Sequence, residues 1–228
     1  MTKKSTGESA EQAVGPRGGS RRTPNRKGEG GRLRGDLLDA AARVLAEKGP
    51  SGVTLRSVAR EANVTAPALY LHFEDRGDLM WHLLLRAWGE LAKVMDQADR
   101  KAAGAGPFAQ LEAQLAAYVE YATRNPTNYE LLFSASPDHA RVVQEDYATP
   151  WPVYDTLERA VARCREAGFV MPLGQDDVDP TTVLLFVIAH GRVALGHATK
   201  RPAFQGKDDA QAFVAASLRA LVRPPASS

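Results

Sequence analysis

Among its 228 residues the chain has one cysteine, Cys164. An intrachain disulfide is excluded, and a reducing compartment fits best. Two readings of that thiol stand side by side, a small buried apolar group and a redox sensor. Long apolar runs are missing too: the longest, Val183 to Ala189, is far short of the ~20 residues that a membrane span needs. The N-terminus carries charge but no apolar core of signal-peptide length. A cytoplasmic protein with no membrane segment is therefore expected. There is no Gly-rich phosphate loop and no nucleophile elbow. His72, His82, His139, His190 and His197 are scattered, and none has metal-ligand spacing to a cysteine or a close carboxylate pair. These absences leave no basis for an enzyme, a cofactor or a metal site. No segment alternates as a strand would and no repeat is visible, so the expected fold class is all-α.

Hydrophobic content of 44% and charged content of 25% are ordinary for a globular protein. The net charge of +2 hides an asymmetry: residues 1–34 carry +6, and the remainder carries −4. Residues 1–31 are rich in Gly, Ser, Lys and Arg without apolar periodicity, and are expected to be a disordered basic arm. Such an arm is either a solvated tail or a source of phosphate and minor-groove contacts.

The informative stretch is residues 53–76. Thr54, preceded by Val53 and followed by Val58, and Thr65, preceded by Val64 and followed by Leu69, repeat one pattern. Each is a hydroxyl N-cap with an apolar pair that fixes the angle of helix entry. Ala62-Asn63-Val64 is a turn of the length a helix-turn-helix needs, Ala59 is small where the helices cross, and Pro67 lies in a first helical turn, where it is tolerated. On the outward side, Ala66, Ala68 and Leu71 suit base edges and thymine methyls. Tyr70, His72 and Arg76 are donors placed for phosphates, with Thr54, Arg56, Thr65 and Pro67 completing the DNA-facing set. A helical hairpin with a solvated face and no ligand is the alternative.

The run Thr54 to Phe73, with Ala-Leu-Tyr-x-His-Phe followed by Arg76 and Leu79, resembles the DNA-binding signature of the tetracycline-repressor (TetR) family of bacterial regulators. Members usually carry Lys where this chain has Arg76, and Pro67 stands where a Gly is often found. The resemblance implies a homodimer of all-helical subunits, each with an N-terminal DNA-binding domain and a C-terminal domain that dimerises and binds an effector. Arg124 to Phe133 and Ile188-Ala-His190-Gly191 also resemble the branch named for a Trp-His-Gly signature, with Phe186 where the Trp would stand.

Helical periodicity places a first helix over Leu33–Lys48, ended by Gly49-Pro50, with Leu37, Ala41, Val44 and Leu45 in one stripe. Asp75 caps a long helix reaching about Ala103, with Asp78 at its positive end. Further helices are expected over 108–124, 136–167 (interrupted near 149–152), 180–199 and 208–222, with a short one started by Asn125-Pro126 and carrying Tyr129 to Phe133. Arg163, Arg165 and Glu166 read as a solvated face. The acidic run Asp176-Asp177-Val-Asp179 reads as a helix start, with a metal site as the other possibility. Expected boundaries are 1–31 for the arm, 32–78 for the DNA-binding domain, 79–223 for the effector and dimerisation domain, and 224–228 for a tail.

These features point to a transcriptional regulator, a repressor released from a palindromic double-stranded operator by a small molecule. A sequence-tolerant architectural DNA binder without effector is the alternative. The expected partners are operator DNA, a second copy joined through the last two helices, and an apolar or aromatic effector. Aromatics expected around the effector are Trp88, Tyr121, Tyr129, Phe133, Trp151, Tyr154 and Phe186, with His190 as polar anchor. Core packing is the competing role for each.

Overall fold

The computed structural model describes residues 29–133, 152–171, 179–199 and 201–225. The arm up to residue 28, Trp151, the first half of the expected 136–167 stretch and most of the acidic run before residue 179 lie outside the described residues. Those described form nine α-helices: α1 (Glu29–Gly52), α2 (Leu55–Glu61), α3 (Ala66–Tyr70), α4 (Arg76–Lys101), α5 (Pro107–Arg124), α6 (Pro126–Phe133), α7 (Pro152–Glu166), α8 (Asp179–Ala198) and α9 (Lys207–Leu221). Their only strand-like feature is a single antiparallel bridge between Val170 and Arg223, which ties the end of α7 to the segment after α9.

Helix α1 begins inside the stretch expected to be arm. Gly30 and Gly31 are weak helix formers, which hides the added turn; the apolar stripe from Leu33 onward carries the helix through them. Gly49, at φ 68°, breaks the regular helix where Gly49-Pro50 predicts an end. Leu37, Ala41, Val44 and Leu45 are buried as the stripe requires. Helices α5 and α6 each start on a proline, Pro107 and Pro126, which needs no N–H partner there. The start of α6 is where Asn125-Pro126 predicts it. At the end of α7 the Phe169 amide donates to Cys164 O and the Gly168 amide to Arg165 O, with Gly168 at φ 83°. This is a Schellman stop that glycine makes without strain.

One continuous core runs from Leu37 to Val222. Helices α1, α2 and α3 form a compact unit at one end, and α4 packs along α5 and α7 at the other. The boundary expected at residue 79 falls within the first turn of α4, so no flexible joint separates the two parts. Helix α6 touches α1 as well as α4 and α5, giving the C-terminal part a second contact with the N-terminal unit.

Helix α8 departs from expectation in one respect. Over Pro180–Ala198 its mean hydropathy is 1.3, enough by length and composition to cross a membrane. A search for unbroken apolar runs misses it because His190, Gly191 and Arg192 interrupt the pattern. Thr181, Thr182, Leu185, Ala189, Arg192 and Val193 are buried within the subunit, whereas Val183, Val187 and Leu195 are exposed.

Candidate nucleic-acid interface and ligand groove

Local chemistry fixes the helix-turn-helix. Thr54 Oγ1 accepts from the Ser57 amide at 3.0 Å, and Ser57 Oγ accepts from the Thr54 amide at 2.9 Å. The pair is a capping box, which sequence reading overlooked because the third helical position usually holds Glu or Gln. Asn63, at φ 53°, makes the turn: the Val64 amide donates to Ala59 O and the Asn63 amide to Arg60 O. Asn tolerates this left-handed position better than most residues. Thr65 occupies the N-cap of α3, but its hydroxyl makes no cap hydrogen bond, contrary to expectation. Backbone bonds from Ala68 and Leu69 to Thr65 O, with Pro67 presetting φ, form that turn instead.

The inward side of this unit is closed. Val53, Val58, Leu69 and Phe73 are at most 1% exposed. The outward side is open: Tyr70 is 57% exposed and Leu71 83%. Thr54, Arg56, Thr65 and Pro67 are also exposed, while Ala66, Ala68 and His72 are half-buried. A fully buried Leu69 next to an almost fully exposed Leu71 fixes which face of the rod looks outward.

Arg76, expected at a phosphate, is turned inward. Its Nε donates to Val53 O at 2.8 Å and its Nη2 to Pro50 O at 3.0 Å. The guanidinium at the start of α4 thus grips the corner just before the N-cap of α2. Its planar fork suits two carbonyls at this corner, one of which, Pro50 O, also accepts from the Val53 amide at 3.2 Å. At the same junction Asp75 caps α4 by accepting from the Asp78 amide, and Asp78 accepts from the Glu74 amide. Arg86 joins α4 to α1 through Asp39 at 2.5 Å.

In the C-terminal part, Asp99 of α4 accepts from Gln110 and Gln114 of α5, at 3.1 and 2.7 Å, and from Arg163 of α7. Asp96, one turn earlier, accepts from Thr156 of α7 at 3.3 Å. Arg163, expected on a solvated face, instead belongs to a half-buried polar junction of three helices. Spacing alone cannot show this, because its partner Asp99 is 64 residues away in sequence and on another helix.

Four of the aromatics expected around an effector come together with the expected polar anchor His190. Phe133 contacts Trp88 at 5.4 Å, Tyr129 at 4.8 Å, Phe186 at 6.3 Å and His190 at 4.0 Å between ring centroids. Tyr121 is nearby on α5, its hydroxyl accepting from Asn128 at 3.1 Å. Tyr154 is half-buried on α7. Much of the cluster is packing, but one side opens into a groove of about 570 Å³ between α6 and α8. Its walls include Tyr129, Phe133 and His190, together with Thr127, Glu130 and His197. The last three were not anticipated; His197 falls two turns after His190 on one helix face, a spacing that could have revealed it. Tyr129 Oη lies 2.8 Å from His190 Nδ1 and 3.1 Å from His190 O. Burial pushes the Tyr129 hydroxyl pKa up and the His190 pKa down, so both groups are held neutral. Cys164 is fully buried and its thiol is pushed up to about 11 by burial, which favours the apolar reading over the redox one.

Two family models match the chain. One, described as bacterial regulatory proteins of the tetR family, covers residues 37–82; the other, described as a tetracyclin repressor-like C-terminal domain, covers residues 111–221. An uncharacterized HTH-type transcriptional regulator, YobS of Bacillus subtilis, is 35% identical over 95 residues, 41% of this chain and 48% of its own length. The HTH-type transcriptional activator FasR of Mycolicibacterium smegmatis is 29% identical over 159 residues, 68% of this chain and 64% of its own. A probable acrEF/envCD operon repressor of Escherichia coli is 30% identical over 106 residues, 46% of this chain and 48% of its own. The chain thus spans about half to two thirds of these relatives. Among solved structures, a protein of unknown function from Rhodococcus sp. RHA1 is 26% identical with a TM-score of 0.66, over 89% of this chain and 100% of that one. RolR in complex with resorcinol shares the fold at 20% identity and a TM-score of 0.60, over 85% and 89% of the two chains.

Proposed function

The chain belongs to the TetR family of bacterial regulatory proteins, and we propose that it acts as a homodimeric repressor of transcription. In this reading each subunit lays α3 in a major groove of a palindromic operator, and a small molecule in the C-terminal domain releases it. The observation that carries this is the outward face of α3, with Tyr70 and Leu71 exposed beside a closed core. Ala66, Ala68 and Leu71 meet base edges, while Tyr70, His72, Thr54 and Arg56 meet phosphates. The dimer sets two such heads about 34–36 Å apart, one turn of the duplex.

The dimer forms through α8 and α9. Helix α8 is apolar on nearly all sides, yet only one of those sides is covered by its own subunit. A helix of that kind needs a second cover, and Val183, Val187 and Leu195, with Phe213 of α9, supply it by meeting a second copy. RolR, a fold neighbour in complex with resorcinol, supports a small-molecule ligand by analogy of fold. A ligand that shifts α4 changes the separation of the two heads, and a coupling of about 1–3 kcal/mol is typical of such linkage.

The test is titration of a duplex from the promoter region beside the gene, and of a random duplex, each at two salt concentrations. A specificity ratio of ~10³ or more is expected, whereas a ratio near one returns the protein to the architectural reading. Tyr70→Phe is expected to weaken binding on every sequence by a similar factor, and a change at Ala68 to alter the preferred sequence.

A further inference from the structure

The groove between α6 and α8 is selective in its polar chemistry, not only in its shape. Tyr129 Oη has one proton and faces two groups, His190 Nδ1 and His190 O. A carbonyl can only accept. Both contacts are hydrogen bonds only when Oη–H donates to the carbonyl and Nδ1–H donates to Oη. His190 Nε2 is then a bare acceptor on the groove wall. His197 obeys the same logic: its Nε2 lies 3.2 Å from Ala122 O and must donate, and in the tautomer that carries its single proton there Nδ1 is an acceptor. Glu130 adds a carboxylate on the rim. Among the groove's described side chains, only the Thr127 hydroxyl is left as a donor. The remaining wall is apolar: the rings of Tyr129 and Phe133, with Pro126, Ala194 and Ala198.

We propose that this groove binds a planar aromatic molecule bearing a hydroxyl or amino hydrogen-bond donor, and that it disfavours carboxylates. The ring lies against Tyr129 and Phe133, and the donor points to His190 Nε2 or His197 Nδ1. An anion would face two lone pairs and the Glu130 charge with one hydroxyl to meet it. This rests on the reading of the C-terminal domain as the effector domain, and it supplies the effector's chemical class. Helix α6 carries the groove wall and also touches α1, so occupancy has a direct route to the DNA-binding unit.

Calorimetric titration of the full-length protein with 2-naphthol, 2-methoxynaphthalene and 2-naphthoate tests the assignment, since the three share a ring system and differ in donor and charge. We expect 2-naphthol to bind about tenfold more tightly than the methyl ether, the difference one hydrogen bond makes, with the carboxylate weakest. His190→Phe keeps a ring and removes the acceptor, and should close most of the gap between naphthol and ether. His197→Phe, at the exposed rim, should narrow it with no loss of fold. Equal binding of all three, preference for the carboxylate, no binding of any, or a gap unchanged in both variants would each overturn the proposal. Operator affinity with naphthol saturating is a separate readout. If donor-selective binding persists but DNA affinity is unmoved, the ligand class stands and the effector reading fails.

Discussion

Side chains with the same sequence signature do different work here. Thr54 and Thr65 follow one pattern, yet only Thr54 closes a capping box. Thr54→Ala is therefore expected to lower unfolding free energy by about 1 kcal/mol, and Thr65→Ala by less than about 0.5 kcal/mol. Chemical denaturation of the two variants decides this; equal losses would mean that Thr65 caps after all. His190 yields a prediction in pH. Its pKa is lowered by burial from an ordinary 6.5. Below that value the unfolded chain binds a proton that the folded chain resists, so the stability tied to His190 is present above pH 6.5 and lost as the pH falls. His82 acts in the same direction: burial and the Arg34 charge lower its pKa, and these outweigh Asp78 at 3.1 Å. Melting temperature should fall from pH 7.5 to 5.5, and fall less in His190→Phe. A steeper fall in that variant would contradict the assignment.

Between elements, the Arg76 clasp is the mechanical joint. It fastens the start of α4 to the corner that positions α2, so a displacement of α4 reaches the reading head through two hydrogen bonds. Arg76→Met should cost roughly 2 kcal/mol of stability, given the usual strength of charged-donor hydrogen bonds. The salt dependence of operator binding should keep its slope. Were Arg76 a phosphate contact, the slope would drop by about 0.9 and stability would hold. Measuring both quantities in one variant separates the two roles. The Asp99 junction is the counterpart at the other end of α4, where Arg163, Gln110 and Gln114 converge from two helices. Neither joint is visible in one segment of sequence, because each brings together residues far apart in the chain.

For the whole molecule, the proposed dimer is the feature on which regulation turns. Val187 is 54% exposed and Phe213 51%, unusual for large apolar side chains on helices whose other faces are buried. A Val187→Glu/Phe213→Glu double variant should remain helical by circular dichroism, sediment as a monomer, and lose most of its operator affinity. A variant that still sediments as a dimer would move the interface elsewhere. The same assembly makes effector action reciprocal: a ligand that weakens operator binding must bind less tightly when operator is present, by the same factor.

Sequence alone determined what depends on near neighbours. The helix count over the described residues, the two N-cap positions, the turn at Ala62-Asn63-Val64 and the outward position of Tyr70 and Leu71 follow from spacing, capping chemistry and periodicity within a few residues. Tertiary structure alone decided where long side chains end. Arg76 could reach solvent or the interior, and the carbonyls of Val53 and Pro50 at the corner between α1 and α2 receive it inward. Arg163 looked solvated until Asp99 arrived from another helix. Likewise the rings were legible as a set, but which nitrogens of His190 and His197 remain acceptors depends on Tyr129 and Ala122, brought against them only when α5, α6 and α8 pack together. Backbone preference is local and readable from the chain, whereas the partner of a flexible polar group is chosen by whatever the fold sets within hydrogen-bond reach.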